Sequence, residues 1–394
     1  MKKLITISAI ILFVTVGCTG GSKPSADDII TVDVMASYPE KELILQDFME
    51  IEYIPLETAS EFITMAYVQY VGQDVIVVRN RNRSSDGDIF FFDRNGKGLK
   101  KINRQGQGGE EYTFLLWVIL DEDRNEVFVN DHYSSKVFVY DYLGNFKRSF
   151  ATKEGVYYDQ INNFDPDNLI CHDGNTGFYD EIRSTFLIVS KQDGSITKEP
   201  PIPYEKKKTT LVRLVDEEHN MGYSAAPRNQ ELIPYRNNWI LVEPSSDTIY
   251  QLQSDYSLTP FIARTPSIQV MEKEIFLFPG VLTDRYYFMQ TVKKEYDFAT
   301  SKGFPRTDLV YDKQEKAIFR CIVYNDDFLD KKTVNMVYGD ITLVNNKIAF
   351  IQKMEAYELV EAYKKGALKG RLKEIAAELD EESNPVIMLA KPKD

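Results

Sequence analysis

The chain has 394 residues, with 47 Lys and Arg against 60 Asp and Glu and a formal net charge of −13. That acidic balance excludes nucleic acid as a partner, because phosphate binding needs a basic face. Three cysteines without a CxxC pair exclude a disulfide-dense scaffold and a cysteine zinc module, while the length fits two ordinary domains or one closed array of repeats.

Residues 1–17 read as a signal peptide. Lys2 and Lys3 precede an apolar run, Leu4 to Val14, that is short for a bilayer span. Thr15-Val16-Gly17-Cys18 resembles a bacterial lipobox, with Thr15 where that pattern usually has Leu. Cys18 would then carry the lipid, and the membrane would be reached through that anchor alone. The alternative is an ordinary secretory signal with an incidental cysteine. Loss of residues 1–17 removes two lysines and no acid, which leaves a net charge of −15. Residues 18–40, with TGGSKPSADD directly after Cys18, read as a flexible tether, so the folded domain is expected over 41–394.

Asp47–Pro55 (DFMEIEYIP) alternates weakly and reads as a strand. Beyond it a phrase recurs: IFFFDRNGK at 89–97 and VFVYDYLGN at 137–145, which start 48 residues apart. Each is an apolar strand, an Asp, a turn with Gly, and another strand. Further copies start at Phe186 (FLIVSKQDGS), Ile249 (IYQLQSDYS) and Leu309 (LVYDKQEKA), and Val386–Ala390 (VIMLA) is a sixth position. An upstream pair of strands belongs to each copy, as in Leu115–Asp121 and Glu126–Asn130. Equivalents of the latter are Val75–Val78, Leu169–Cys171, Trp239–Val242, Tyr286–Met289 and Ile348–Ile351. A period near 40–50 residues with this content predicts an all-β fold, a six-bladed β-propeller of four-stranded antiparallel blades. The last three intervals stretch to 63, 60 and 77 residues and require insertions. Asp47–Pro55 is expected to complete the last blade and close the ring, which removes exposed sheet edges. Cys171 and Cys321 lie in apolar strand-like runs and are expected as two separate buried thiols.

One insertion is helical. Over 355–381, Leu368, Leu372, Ile375 and Leu379 share one helical face, with Gly366 and Gly370 expected to break or bend it. It reads as a cap on the propeller rim, or else as a lid or a partner-docking helix.

The stretch 106–150, a Gly-rich start followed by two strands, an Asp, a short loop and a strand ending in Asp with a Gly turn, resembles an NHL-type repeat. IEYIPLET at 51–58, INRQGQGGEEY at 102–112 and NPVIML at 384–389 support a wider likeness. The whole chain resembles the six-bladed β-propeller lipoproteins of Bacteroidota. That resemblance implies a cell-envelope address, on either side of the outer membrane, and implies no particular reaction.

Propellers place function at one mouth of the central channel, where the loops after the second strands and between blades meet. That mouth would collect Arg79, Asn80 and Arg83 from the first unit, Asp131 and His132 from the second, and His172 and Asp173 from the third. Glu243, Gln290, Lys293, Gln352 and Lys353 follow from the remaining three. This polar ring of mixed charge suits a polar small molecule, a peptide or a glycan. His132 and His172 each sit beside an Asp and are the candidates for a metal ion, yet a catalytic zinc wants three protein ligands and His219 lies in an irregular insert. No cofactor is expected. Gly106-Gln107-Gly108-Gly109 lacks the Lys-Ser/Thr of a phosphate loop, and no Gly-x-Ser-x-Gly elbow is present. The reading is a lipid-anchored envelope propeller that binds a ligand or protein partner through its channel face. The alternative is a propeller enzyme, a metal-dependent lyase or a hydrolase, that uses the same face.

Overall fold

The computed structural model describes residues 29–80, 86–175, 184–337, 341–343 and 347–393. Its architecture is a six-bladed β-propeller. Blade one comprises strands Tyr67–Val71, Val75–Arg79, Asp88–Asp93 and Gly98–Asn103, in spatial order from the channel outward. Blade two (Leu115–Asp121 to Phe146–Ala151) and blade three (Tyr158–Asn163 to Ile196–Lys198) repeat that order. Blade four starts at Leu232–Tyr235 and ends at Leu258–Thr265, and blade five starts at Ile275–Leu282 and ends at Ala317–Asn325. In blade six, Ile341–Leu343, Phe350–Met354 and Val386–Pro392 are followed spatially by Met49–Pro55, which pairs antiparallel with Val386–Pro392 along its whole length. The expected closure is therefore the observed one.

The second strands show why these sequences fold as stacked blades. VIVVR (75–79), EVFVND (126–131) and NLICHD (168–173) are buried at every position. A strand covered on both faces needs no polar alternation, and β-branched and aromatic side chains fill the space between sheets. The apolar clusters follow the blade interfaces. Val78 and Phe92 pack with Ile351 and Ile387 between blades one and six. Val77 and Phe91 pack with Val118 and Val129 between blades one and two. Phe128 and Val139 pack with Leu169 and Cys171 between blades two and three. Cys171 and Cys321 are free and buried, and burial pushes the Cys321 thiol up to about 12.

The recurring Asp and Gly have a physical task. Asp93 Oδ1 accepts hydrogen bonds from the Asn95 and Lys97 amides at 2.8 and 2.9 Å, and Gly96 takes φ +86°. Asp141 Oδ1 accepts from the Leu143 and Asn145 amides, both at 2.8 Å, and Gly144 also takes φ +86°. An Asx turn followed by a left-handed residue thus reverses the chain between the two outer strands of a blade. Later blades keep the geometry with other residues. Ser190 replaces the Asp in blade three, and Tyr256 and Lys316 adopt positive φ in blades four and five.

The N-terminal segment departs from expectation. Ile30–Asp33, inside the expected tether, pairs parallel with the outer strand of blade four, and Glu40–Ile44 pairs parallel with that of blade five. Val32 and Val34 are buried, so the alternation in ITVDV carries a sheet face that the Gly- and Ser-rich flank obscures. The chain thus runs along the outer edges of blades four, five and six in turn. The helical insertion is two helices, Ala356–Lys364 and Gly370–Glu378, with Gly366 and Gly370 in the left-handed region between and at the start of them. Leu368, Leu372 and Ile375 are buried, as their spacing requires. The long interval before blade four holds a hairpin, Val212–Asp216 with Met221–Ala225. Among the described residues no helix is long and apolar enough to cross a membrane.

Gly96 and Gly144 share a backbone conformation but not surroundings. A Cβ on Gly96 would run into the Pro55 carbonyl oxygen of the closing strand, whereas one on Gly144 would meet Ile102 Cγ2 at 3.1 Å. Urea unfolding should show Gly96→Ala destabilised by about 2–4 kcal/mol and Gly144→Ala by about 1 kcal/mol. Equal losses would mean that the approach to the closing strand carries no cost.

Candidate functional site

Strands alternate in direction, so the ends of the second and fourth strands of every blade emerge at one mouth of the ring. From that mouth a cavity of about 1570 Å³ runs inward to the first-to-second-strand turn of blade four at Asn237 and Asn238. Its walls come from the first strands of blades one, two, three, four and six, while Lys332–Asn335 covers the side of blade five. Two inserts reach it at the mouth: the linker into blade four at Lys207–Leu211, and the helical insertion at Glu355–Leu359.

Three of the sequence-predicted residues line this cavity: His172, Gln352 and Lys353. Several others are held by partners within the fold. Asp131 is fully buried and accepts from the Thr113 and Tyr133 amides. Asn80 accepts from Thr64 Oγ1 and the Met65 amide. Asp173 accepts from the Tyr157 and Asn175 amides. Gln290 donates to Asp308 at 2.6 Å and accepts from Arg306. Arg79 is buried with its guanidinium 4.8 Å above the Tyr67 ring. Glu243 is buried, receives Lys207 Nζ at 3.0 Å and accepts from Thr185 Oγ1 at 3.1 Å. His132 and Lys293 are exposed, and His132 lies 4.7 Å from the Tyr157 ring. Arg83 and Cys18 lie outside the described residues.

The polar centre of the cavity lies between blades three and four. His172 is the penultimate residue of the second strand of blade three, and its Nδ1 is 2.7 Å from Asp159 Oδ1 on the first strand. The next residue, Gln160, crosses to blade four: its Nε2 donates to Glu231 and its Oε1 accepts from the Leu232 amide at 3.0 Å. Burial alone would lower the His172 pKa. The Asp159 carboxylate outweighs it and raises the imidazole to about 9, so His172 is cationic at neutral pH. Burial raises Glu231 to about 7 against the opposing pull of the His172 imidazolium. The sequence-based list omits Asp159, Gln160 and Glu231. Alternation along YDQINN could have placed Asp159 and Gln160 on a first strand, but nothing local marks Glu231.

Histidines do not converge. His172 is engaged by Asp159 and His219 by Asp216 at 2.9 Å in the exposed hairpin. Among the described residues no three His, Cys, Asp or Glu side chains form a group that could hold a metal ion.

Aromatic side chains form the second element of the mouth. Tyr67 of blade one and Trp117 of blade two both line the cavity, with ring centroids 6.4 Å apart. A further run, Phe114, Tyr133, His132 and Tyr157, continues around the rim at centroid spacings of 5.1, 5.3 and 4.7 Å.

Fold and site together define a closed six-bladed propeller whose channel mouth is lined by polar and aromatic side chains. Residues 29–391 match the family described as "Domain of unknown function (DUF4934)", and the chain belongs to that family. No curated protein matches it. Among solved structures it is similar to a "Putative exported protein" from Bacteroides fragilis NCTC 9343, at 14% identity over 93% of this chain and 100% of that one, with a TM-score of 0.62. It is also similar to a member of the duf4221 family from Bacteroides vulgatus atcc 8482, at 10% identity over 88% of this chain and 97% of that one, with a TM-score of 0.46.

The His172–Asp159 pair gives stability a pH dependence. The folded imidazole binds its proton more tightly than an unfolded one, so its contribution is complete below pH 6.5 and lost as pH rises through about 9. Glu231 slopes the same way at lower pH, because its folded carboxyl also favours the protonated form. Between pH 6.5 and 9.5 the wild type should lose about 1–3 kcal/mol more than His172→Gln, measured by urea unfolding at each pH. Parallel slopes for the two proteins would remove His172 as the source.

Proposed function

We propose that this protein is a non-enzymatic binding module, an NHL-like propeller lipoprotein of the cell envelope that takes a ligand or a partner segment into the mouth of its channel. The observation that carries this reading is the cavity itself, with polar side chains whose hydrogen-bonding capacity the fold leaves unused. Asn162 and Gln352 line it, and among the described residues neither side chain has a hydrogen-bond partner. Among the described residues Asn163 Oδ1 and Asn229 Oδ1 are shielded from water without a partner. Buried polar groups are normally satisfied, and a binding site is the usual place where they are not.

The address rests on the sequence of residues 1–17, on Cys18, and on the printed description of the Bacteroides fragilis protein as exported. A lipid on Cys18 and a short tether before Ile30 would hold the propeller close to a membrane.

Two measurements test this. A thermal-shift screen of peptides, oligosaccharides and small metabolites should return a compound that stabilises the wild type, by about 2.7 kcal/mol at a hundredfold excess over Kd, and that fails to stabilise Trp117→Ala. Stabilisation undiminished in Trp117→Ala would put binding elsewhere. In cell fractionation, Cys18→Ala should move the protein from the membrane to the soluble fraction, and unchanged membrane retention would overturn the anchor.

A further inference from the structure

A second surface lies outside the channel. The linker into blade four carries the hairpin Val212–Asp216 with Met221–Ala225, a two-stranded sheet of its own. None of its strand residues lines the cavity, although Leu211 and Ala226 on either side of it do. Most of the hairpin is exposed, yet it carries Leu214, Val215, Met221 and Tyr223, at 44, 71, 45 and 42% exposure. Two strands alone are marginally stable in water, and apolar side chains on them contribute little until another surface covers them.

The register defines one face of the hairpin. Val212 lies opposite Ala225, Leu214 opposite Tyr223, and Asp216 opposite Met221. Alternation along each strand puts these six on the same side. At the base of that face Val212 and Ala225 pack against the main apolar core. Farther out, the Tyr223 ring lies 6.4 Å from that of Phe298, in the loop after the second strand of blade five, and its hydroxyl donates to Met221 Sδ at 3.7 Å. The apolar row is thus anchored at one end and exposed at the other.

The edge of Met221–Ala225 has the same character. Native sheets guard their edge strands with charge. The outermost strands of the six blades do so, with Lys100, Lys147 and Lys198 in blades one, two and three, and Asp33, Lys41 and Glu50 on the N-terminal strands that edge blades four, five and six. Met221–Ala225 (MGYSA) has no charge and no proline, and among the described residues it pairs only with Val212–Asp216. A Cβ on Gly222 would meet nothing within 4 Å. Such an edge accepts a further strand through main-chain hydrogen bonds, and side chains then select which strand.

Charge at the tip makes that selection. From Leu214 to Pro227 the chain has Asp216, Glu217 and Glu218 and no Lys or Arg. Asp216 is engaged by His219 at 2.9 Å. Glu217 and Glu218 are exposed, and among the described residues neither has an ion-pair partner. A second copy would bring the same acidic tip and the same net negative charge, and an anionic membrane surface would repel it too. We propose that the Met221–Ala225 edge takes a strand from a basic partner protein. Apolar side chains of that strand cover Leu214 and Tyr223, and its Lys or Arg side chains meet Glu217 and Glu218.

The probe is a library of random dodecapeptides displayed on phage. Selection on the wild type should enrich peptides that alternate apolar residues with Lys or Arg. A synthetic copy of the best of them should slow amide hydrogen exchange across Met221–Ala225. By calorimetry, Tyr223→Lys and the pair Glu217→Lys, Glu218→Lys should each weaken its binding roughly tenfold or more, while Trp117→Ala binds it as the wild type does. Urea midpoints of the variants should stay at the wild-type value, because these side chains are exposed, and so separate loss of the edge from loss of the fold. Binding lost in Trp117→Ala and kept in Tyr223→Lys belongs to the channel, which overturns the edge and supports the channel reading. Three results overturn the proposal and leave the channel reading untouched. They are enrichment of no peptide or of peptides without Lys and Arg, a wild-type dimer in sedimentation that Tyr223→Lys dissolves, and wild-type binding to phosphatidylglycerol vesicles that Tyr223→Lys abolishes.

Discussion

Seven paired residues, Met49–Pro55 against Val386–Pro392, hold the two ends of the chain together, and every blade interface presupposes that ladder. A propeller blade has two apolar faces and cannot bury both unless it has a neighbour on each side. Without the ladder, blade six would lose its outer strand, and the cluster that joins Ile351 and Ile387 to Val78 and Phe92 would open to water. Closure links residues more than 330 positions apart. Its chain-entropy cost grows only logarithmically with that distance, whereas the apolar area it covers does not diminish. The preceding strands Ile30–Asp33 and Glu40–Ile44 extend the same device along blades five and four, so the closing segment is held by three sheets rather than one.

Buried charge fixes how adjacent blades meet. Lys191 of blade three is 2% exposed, and its Nζ reaches Asp121 of blade two at 2.8 Å and the Asp165 carbonyl at 2.9 Å. Glu126 of blade two receives Arg148 through two bonds of 2.7 Å, and the same guanidinium reaches the Lys191 carbonyl. Such pairs contribute little net stability once their desolvation is counted, but breaking one leaves a charge buried alone. They resist slippage of one blade across the next, which apolar faces by themselves would tolerate. At the channel, Gln160 acts in the same way between blades three and four. It thereby sets the spacing of the wall on which the proposed ligand would lie.

Much of the fold is legible in one dimension. The Asp-to-Gly turns at Asp93 and Asp141 mark blades one and two because a single φ near +86° there demands glycine. Blades four and five are fainter for the same reason in reverse: Tyr256 and Lys316 occupy the left-handed position, and the surrounding packing rather than residue type holds them there. Ile30–Asp33 is hidden by its neighbours. Four residues that alternate after a polar, Gly-rich stretch carry too little periodicity to outweigh it, and only the waiting edge of blade four makes them a strand.

The sequence by itself determined the number of blades, the turn chemistry, the closing strand and the two-helix insertion, because each is a local pattern of burial or backbone freedom repeated along the chain. Only the tertiary structure decided the site. Of the residues expected at the mouth, Asp131 and Asp173 turned inward to satisfy backbone amides of their own blades, as a fully buried carboxylate must. Asp159, Gln160, Glu231, Tyr67 and Trp117 came together instead, from four blades separated by as many as 164 positions. Their convergence depends on the radius of a closed ring and on which inward-facing side chains its inserts leave uncovered. No local periodicity encodes either quantity.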